Sequence, residues 1–123
     1  MGRAILLSTD NTVTEVDIDF GLESLQKVVG GYIEHVSLPR LDYDVPMGVR
    51  VGFLVNEEGR LDNLPYNENA TRLYAPKPDR TNHFIAGPAL LIAVDQNVGE
   101  EIPLPDCVTL ESIMKDLELY EGH

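Results

Sequence analysis

The chain has 123 residues, 43% of them hydrophobic and 24% charged, a balance that excludes wholesale disorder and allows one domain with a real core. Its net charge of −12 excludes direct binding to a nucleic-acid backbone, which requires the opposite sign. Cys107 is the only cysteine, which excludes an intramolecular disulfide, and no apolar run approaches the roughly 20 residues of a membrane span. We therefore predict a soluble single domain over residues 1–123 in a reducing, cytoplasmic compartment, that of the host cell if the protein is phage-encoded.

The N-terminal residues predict a β-hairpin. Residues 4–8 form a short apolar run that is typical of a strand, and Asp10 and Asn11 supply a turn. Residues 12–18 alternate with period two, which indicates a second, half-buried strand.

An amphipathic helix is predicted next, beginning near Gly21 and ending at Gly30 and Gly31. Apolar side chains recur there at helical spacing, and Asp19 is the expected cap at its N-terminus. Glycine is favoured after the last turn because it accepts the left-handed backbone conformation.

The middle of the chain predicts two strands and a turn. Residues 32–38 and 49–55 have the composition of strands, and a proline-bearing loop, residues 39–48, separates them. Gly59 is expected to take a positive φ angle in the turn that follows. Residues 60–61 then begin a return strand.

The C-terminal half predicts a short helix, a buried strand and a final helix. Asn67 is the expected cap of a helix through Tyr74, and residues 75–83 form an exposed, proline-rich loop. The apolar run 89–94 indicates a buried central strand. Apolar residues at i, i+3, i+4 and i+7 predict the final helix, with Thr109 as its cap.

Together these elements predict an α+β fold. The expected architecture is a single mixed or antiparallel sheet of about five strands with two to three helices, in the order ββαββαβα. We expect the helices to pack on one side of the sheet. The core should span about residues 4–118, with residues 121–123 as a C-terminal tail.

Residues that could carry catalysis or bind a metal are scattered. His35 follows Glu34 on a strand, so their side chains point to opposite faces and cannot act as a local dyad. Cys107 has no base beside it and is expected to be a small buried residue. Asp42 and Asp44 lack the further ligands that a calcium loop needs. We therefore predict no catalytic residue, no metal ligand and no cofactor.

A cluster of polar residues surrounds the turn at Gly59. Asparagine serves turns and helix caps, so each member of the cluster has a structural interpretation. The functional interpretation is a polar lip that holds a ligand or the backbone of a partner. The cluster consists of Asn56, Glu57, Glu58, Asn63, Asn67 and Asn69.

Three pieces of the sequence carry a family resemblance. They are Val29-Gly30-Gly31-Tyr32-Ile33-Glu34, then Asn56-Glu57-Glu58-Gly59 with Leu64, Pro65 and Asn67, then Ile85-Ala86-Gly87. In this order and at these spacings the chain resembles, over about residues 4–118, an uncharacterised family of small proteins catalogued as a domain of unknown function. Its members occur in bacteriophages, plasmids and bacterial genomes.

The resemblance implies a phage or mobile-element setting and an accessory role, and it brings no activity, catalytic residue or cofactor. The glycines in the three pieces are explained by folding alone. Four polar residues are not, and they are the candidates for a ligand- or partner-binding surface: Glu34, Asn56, Glu57 and Asn67.

The favoured functional hypothesis is a small, acidic, non-enzymatic accessory protein that binds a host or phage protein. An exposed apolar patch around Tyr43, Val45 and Met47 would support it. The alternative is a protein that binds or sequesters a nucleotide-like small ligand. The cations available to such a ligand are Arg50, Arg60 and Arg72.

The sequence leaves further alternatives open for the function, the acidity and the oligomeric state. An enzyme would have to assemble its site from separated residues: Glu34, His35, Glu57 or Cys107. The acidity is compatible with solubility, with adaptation to high salt or with mimicry of DNA phosphates. Small domains with a free sheet edge often pair, so a homodimer is also open.

Overall fold

The part of the chain that the structure describes forms one antiparallel sheet with three helices. The computed structural model describes residues 2–38, 41, 45–59, 62–74 and 84–121. The elements are β1 (Gly2–Leu7), β2 (Val13–Ile18), α1 (Leu22–Val29), β3 (Ile33–Ser37), β4 (Val49–Asn56), α2 (Glu68–Tyr74), β5 (Ala89–Asp95), β6 (Glu100–Ile102) and α3 (Leu110–Glu121).

All pairs of neighbouring strands are antiparallel, and the strand order is β2-β1-β5-β4-β3, with β6 pairing to β5 as well. The predicted α+β class, the single sheet and the element order are confirmed. β6 is the strand that the sequence prediction lacks. It is three residues long and mostly acidic, so it has neither the length nor the alternation that marks a strand.

Helices lie on both faces of the sheet, so the expectation of helices on one side was wrong. α2 and α3 cover the first face, with Leu73, Ile113 and Leu117 packed against Phe53 and other residues of odd number in β1, β4 and β5. α1 covers the second face, where Leu25 and Val29 pack against residues of even number in the same strands. These partners of α1 are Ala4, Leu54, Leu90 and Ile92.

The reason for this arrangement lies in the central strands. β4 and β5 are apolar at successive positions, and side chains of a strand alternate between faces. Both faces of the sheet are therefore hydrophobic and each has to be covered.

Three predicted helix ends are confirmed. Asn67 Oδ1 accepts a hydrogen bond from the N–H of Ala70 at 3.1 Å, which caps α2. Thr109 caps α3 through a reciprocal pair, since its Oγ1 accepts from Ser112 N and Ser112 Oγ accepts from Thr109 N, both at 3.0 Å. Gly30 ends α1 in the left-handed conformation, at φ 82°.

Asp19 does not cap α1 in the predicted way. The N-cap position is Gly21, which makes no side-chain capping bond. The Asp19 carboxylate instead accepts from Gly21 N at 2.9 Å and from the Ser24 hydroxyl at 3.4 Å. It therefore orders the turn that leads into the helix.

Gly59 is required for a different reason from the predicted one. Among the described residues, it is not one of the glycines with a positive φ angle. A Cβ atom at Gly59 would lie 2.7 Å from the carbonyl oxygen of Ala86, so only glycine allows the two backbones to approach. The left-handed residue of this turn region is Asn63, at φ 56°. The predicted return strand at residues 60–61 and the loop 75–83 lie outside the described residues.

Candidate functional site

The four candidate residues come together at one end of the sheet. A row of paired residues crosses the sheet there: Glu34 pairs with Val55, Val55 with Ala89, and Ala89 with Leu7. Asn56 directly follows Val55 in the chain, and Asn67 binds the carbonyl oxygen of Leu7. We call this end, formed by Tyr32–Glu34, Asn56–Gly59 and Tyr66–Asn67, the polar end of the sheet.

Asn67 is the buried centre of the polar end. Its side chain has no exposed surface. Nδ2 donates to Leu7 O at 2.8 Å and to Gly87 O at 2.9 Å, while Oδ1 caps α2. The amide thus joins the end of β1, the start of β5 and the start of α2, and all these bonds lie within the fold.

Asn56 is a second buried amide, 9% exposed. Nδ2 donates to Val29 O, the last carbonyl of α1, at 3.4 Å, and Oδ1 accepts from Glu58 N at 2.8 Å. Gly31 leaves room for this side chain, since a Cβ at Gly31 would lie 3.0 Å from Nδ2. Asn56 therefore connects the end of α1 to the turn after β4.

The same contacts bring the three sequence pieces together in the fold. Glu57 N donates to Tyr32 O at 2.8 Å, which joins the first two pieces. Gly59 lies against Ala86, and Gly87 N donates to Pro65 O at 2.7 Å, which joins the second piece to the third. Separate in sequence, the pieces form one packed unit in the fold.

The accessible part of the polar end consists of carboxylates and tyrosines. Glu34 and Glu57 are exposed, as is Glu58 beside them. Tyr32 is 70% exposed and Tyr66 is 54% exposed, so both rings leave much of their surface in water. The sequence prediction did not single out the tyrosines, because an aromatic residue in or beside a strand is usually part of the core.

The two tyrosines flank one turn. Tyr32 is bonded to Glu57 at the start of the turn, and Tyr66 forms an isolated β-bridge with Ala86, which contacts Gly59. Tyr66 also packs beside Phe84, with ring centroids 5.9 Å apart. Both tyrosines are thus connected through the backbone to the turn that carries Glu57 and Glu58.

A groove lies on the α1 face of the sheet, and no α1 residue lines it. It has a volume of about 240 Å³ and lies over Gly52, where the missing side chain leaves space. Its polar lining includes His35, Ser37, Arg50 and Gln96; its apolar lining includes Ile92 and Val94. These residues come from three strands and a turn, so no local sequence pattern marks them.

His35 is an exposed strand residue, as predicted, with Glu34 on the opposite face. Its imidazole Nε2 lies 3.6 Å from the Glu101 Oε2 atom. The cations proposed for a small ligand do not converge: Arg50 lines the groove, whereas Arg72 pairs with Glu68 at 2.9 Å on α2, which packs on the other face. Arg60 lies outside the described residues.

Two turns at the end of the sheet opposite the polar end expose apolar side chains. Met47 is fully exposed and Val98 is 66% exposed, and Gln96 N donates to Gly48 O at 2.9 Å, which holds the two turns together. Val45, the second residue of the predicted apolar patch, packs partly buried against the core instead. Tyr43, the third, lies outside the described residues.

Cys107 is exposed, so the expectation of a buried cysteine was wrong; it lies in the turn before α3 instead of on a core-facing element. Asp42 and Asp44 lie outside the described residues. Within the described part of the chain, no three His, Cys, Asp or Glu side chains are grouped as metal ligands, and no helix is long and apolar enough to cross a bilayer.

A family model described as a domain of unknown function, DUF3846, matches residues 2–118. Neither a curated protein nor a solved structure matches the chain significantly. The match covers every strand and most of α3, and so includes both the polar end and the groove.

Proposed function

Given that the chain belongs to the DUF3846 family, a domain of unknown function, we propose that it is a non-enzymatic accessory protein of phage or mobile-element type. In this proposal it acts in the cytoplasm by binding a host or phage protein at the polar end. The observation that supports the proposal is the pair of exposed tyrosines, Tyr32 and Tyr66, on the packed unit formed by the three sequence pieces.

Tyrosine is suited to such a surface. Its ring supplies a large, rigid contact area, its hydroxyl keeps hydrogen bonding with water or a partner, and it is enriched at the energetic centre of interfaces. Among the exposed large apolar and aromatic residues that the structure describes, Met47 alone leaves a larger fraction of its surface in water than Tyr32. A tyrosine ring that is this exposed provides contact area that a partner can bury.

The charge of the surface indicates the kind of partner. Glu34 is two residues from Tyr32 on the chain, Glu57 N donates to Tyr32 O, and Glu58 follows Glu57. The whole chain carries −12. Like-charged partners are repelled, whereas a basic surface is attracted and oriented before contact. The partner we propose is therefore a protein with a lysine- and arginine-rich surface.

Affinity capture with matched variants tests this function. The tagged protein is captured from its host's lysate as wild type, as Tyr32→Ala, as Glu57→Lys and as the control Glu118→Lys. Glu118 is an exposed glutamate on α3 and is not one of the residues of the polar end. We expect one partner to be retained by wild type and by the control and to be lost, by about tenfold or more, from both polar-end variants. Equal recovery with all four proteins would contradict the proposal.

A second candidate function, binding of a nucleotide-like small ligand, is supported by the groove. An arginine, a histidine and a serine on its rim could meet a phosphate, and Ile92 and Val94 could underlie a ring. A ligand at one hundred times its dissociation constant stabilises a protein by about 2.7 kcal/mol. A panel of nucleotides at millimolar concentration should therefore raise the melting temperature of wild type and not of Arg50→Ala. If no nucleotide shifts the melting temperature, this function is wrong.

A further inference from the structure

β3 is an edge strand: within the described residues, β4 is the one strand that pairs with it. Two hydrogen bonds show which residues of β3 turn their backbone N–H and C=O groups toward β4. Glu57 N donates to Tyr32 O at 2.8 Å, and Leu38 N donates to Val51 O at 3.1 Å. Because bonding alternates residue by residue in an antiparallel pair, the even-numbered residues of β3 face β4.

The odd-numbered residues of β3 consequently turn their backbone groups outward. These residues are Ile33, His35 and Ser37, and among the described residues nothing accepts from their N–H groups or donates to their carbonyls across the edge. An unpaired row of this kind is a template for another strand.

The other edge of the sheet, β2, is less open. Ser8 N donates to Thr12 O, so the even-numbered residues of β2 bond to β1. The β2 residues whose backbone groups point away from β1 are therefore Val13, Glu15 and Asp17. α3 packs beside β2, and Glu15 is held by Arg3 at 3.2 Å. β3 instead borders the groove on one face.

We propose that β3 is the docking strand of the protein, and that its occupant is an extended, lysine- or arginine-bearing segment of the partner that pairs with Ile33–Ser37 as an additional strand. This inference rests on the proposed function and specifies how the partner binds. Main-chain hydrogen bonds provide the attachment, and alternate side chains of the segment provide specificity.

The two faces of β3 predict the side chains of the segment. On one face an added strand lies beside Glu34, which is exposed and favours a lysine or arginine. On the other face it lies beside His35 and Ser37, next to the groove, which accepts small or apolar side chains. A second copy of the chain is a poorer occupant, because each copy carries a net charge of −12.

A synthetic peptide of about eight residues with alternating lysine and valine is the probe for this proposal. Two control peptides have the same sequence, one N-methylated at every lysine and the other at every valine. All three peptides have the same charge, but each control has lost the hydrogen-bonding N–H groups of one edge. We expect one control to bind the protein at least about tenfold more weakly than the parent peptide, and the other control to bind like the parent.

Amide hydrogen exchange and two proline variants locate the site on the protein. The peptide should protect the amides of Ile33, His35 and Ser37, and it should leave those of β2 unchanged. Ser37→Pro removes one outward N–H and should weaken binding about tenfold, whereas the matched Asp17→Pro on the other edge should not.

The outcomes separate this inference from the proposed function. If all three peptides bind equally, the segment is held by charge alone, so strand addition is wrong and binding at the polar end survives. If the parent peptide shows no binding at millimolar concentration, or the free protein is a dimer with these β3 amides protected, a basic segment is not the occupant. Loss of partner capture with Tyr32→Ala would support the proposed function in either case.

Discussion

His35 and Glu101 meet although two strands separate them in the sheet. His35 is on β3 and Glu101 is on β6, with β4 and β5 between, and Nε2 lies 3.6 Å from Oε2. Such a contact requires the α1 face to be concave along the diagonal that joins the two residues. Twisted sheets are curved in this way, and Gly52, which lies on β4 between the partners of His35 and those of Glu101, has no side chain.

The first prediction is that this pair contributes little stability. The side chains of His35 and Glu101 are 49% and 19% exposed, and a pair open to solvent loses most of its attraction to screening. A double-mutant cycle with His35→Gln and Glu101→Gln should give a coupling of less than about 1 kcal/mol, lower still in 1 M salt. A larger coupling that persists in salt would show that the pair is effectively buried.

The second prediction concerns Asn67. Asn67→Ala should lower the free energy of unfolding by about 3 kcal/mol, because it removes a helix cap and the two buried hydrogen bonds from Nδ2 to the carbonyl oxygens of Leu7 and Gly87. Urea denaturation measures the effect. The neighbouring Asn69→Ala is the control and should stay within about 0.5 kcal/mol, since the bond from its side chain to Asn11 O is 3.4 Å long and exposed. Equal effects of the two variants would contradict this role of Asn67.

The third prediction distinguishes two structural requirements for glycine: close approach of two backbones at Gly59 and a positive φ angle at Gly99. Gly59→Ala places a methyl group 2.7 Å from the Ala86 carbonyl oxygen and should cost about 2 kcal/mol or more, because backbone atoms have to move. Gly99→Ala meets no atom within 4 Å but has φ +72°, so it should cost only about 1 kcal/mol. Thermal or urea unfolding of both variants tests the order; the reverse order would show that the turn at Gly59 relaxes easily.

The fourth prediction concerns the cap of α3. Thr109→Ala removes the acceptor for Ser112 N and should destabilise the protein by about 1 kcal/mol. Thr109→Ser keeps the oxygen and should be close to wild type. Because Ile113 and Leu117 of α3 belong to the core, the effect should appear in global unfolding. If Thr109→Ala reduced only the helical signal and left global unfolding unchanged, α3 would unfold independently of the core.

The fifth prediction is a pH dependence at the β1–β2 turn. Hydrogen bonds from the hydroxyl and N–H of Thr12 lower the pKa of Asp10 below its usual value. The charged carboxylate therefore stabilises the fold above the pKa it has in the unfolded chain, and this contribution is lost as the pH falls through the lower folded-state pKa. The stability difference between wild type and Asp10→Ala should shrink on acidification below about pH 4. A difference that is constant with pH would contradict the role of the charge.

Local signals in the sequence predicted much of the fold. The period-two alternation of β2, the glycine after α1 and the caps Asn67 and Thr109 are each explained by a few neighbouring residues, and the structure contains all of them. Asp19 shows the limit of this approach, because an aspartate before a helix can bind the preceding turn as easily as the helix N-terminus.

Features that depend on distant contacts were not predictable in the same way. Gly59 has the sequence context of a tight turn, but the atom that requires glycine there belongs to Ala86. The groove joins residues from β3, β4 and β5, and its shape depends on strand register. Asn67 was chosen as a candidate surface residue because its burial beneath the end of β1 has no local signature.

The pairing of β1 has a consequence for synthesis of the protein on the ribosome. Leu7 pairs with Ala89, and the backbone of Arg3 accepts from Leu104 N at 2.9 Å, so β1 depends on residues that are translated much later than it is. Non-local pairing of this kind slows folding. Until β5 has left the exit tunnel, we expect the β1–β2 hairpin to expose Ile5 and Leu7 to cellular chaperones. Completion of the sheet therefore has to wait for the synthesis of β5 and of the segment around Leu104.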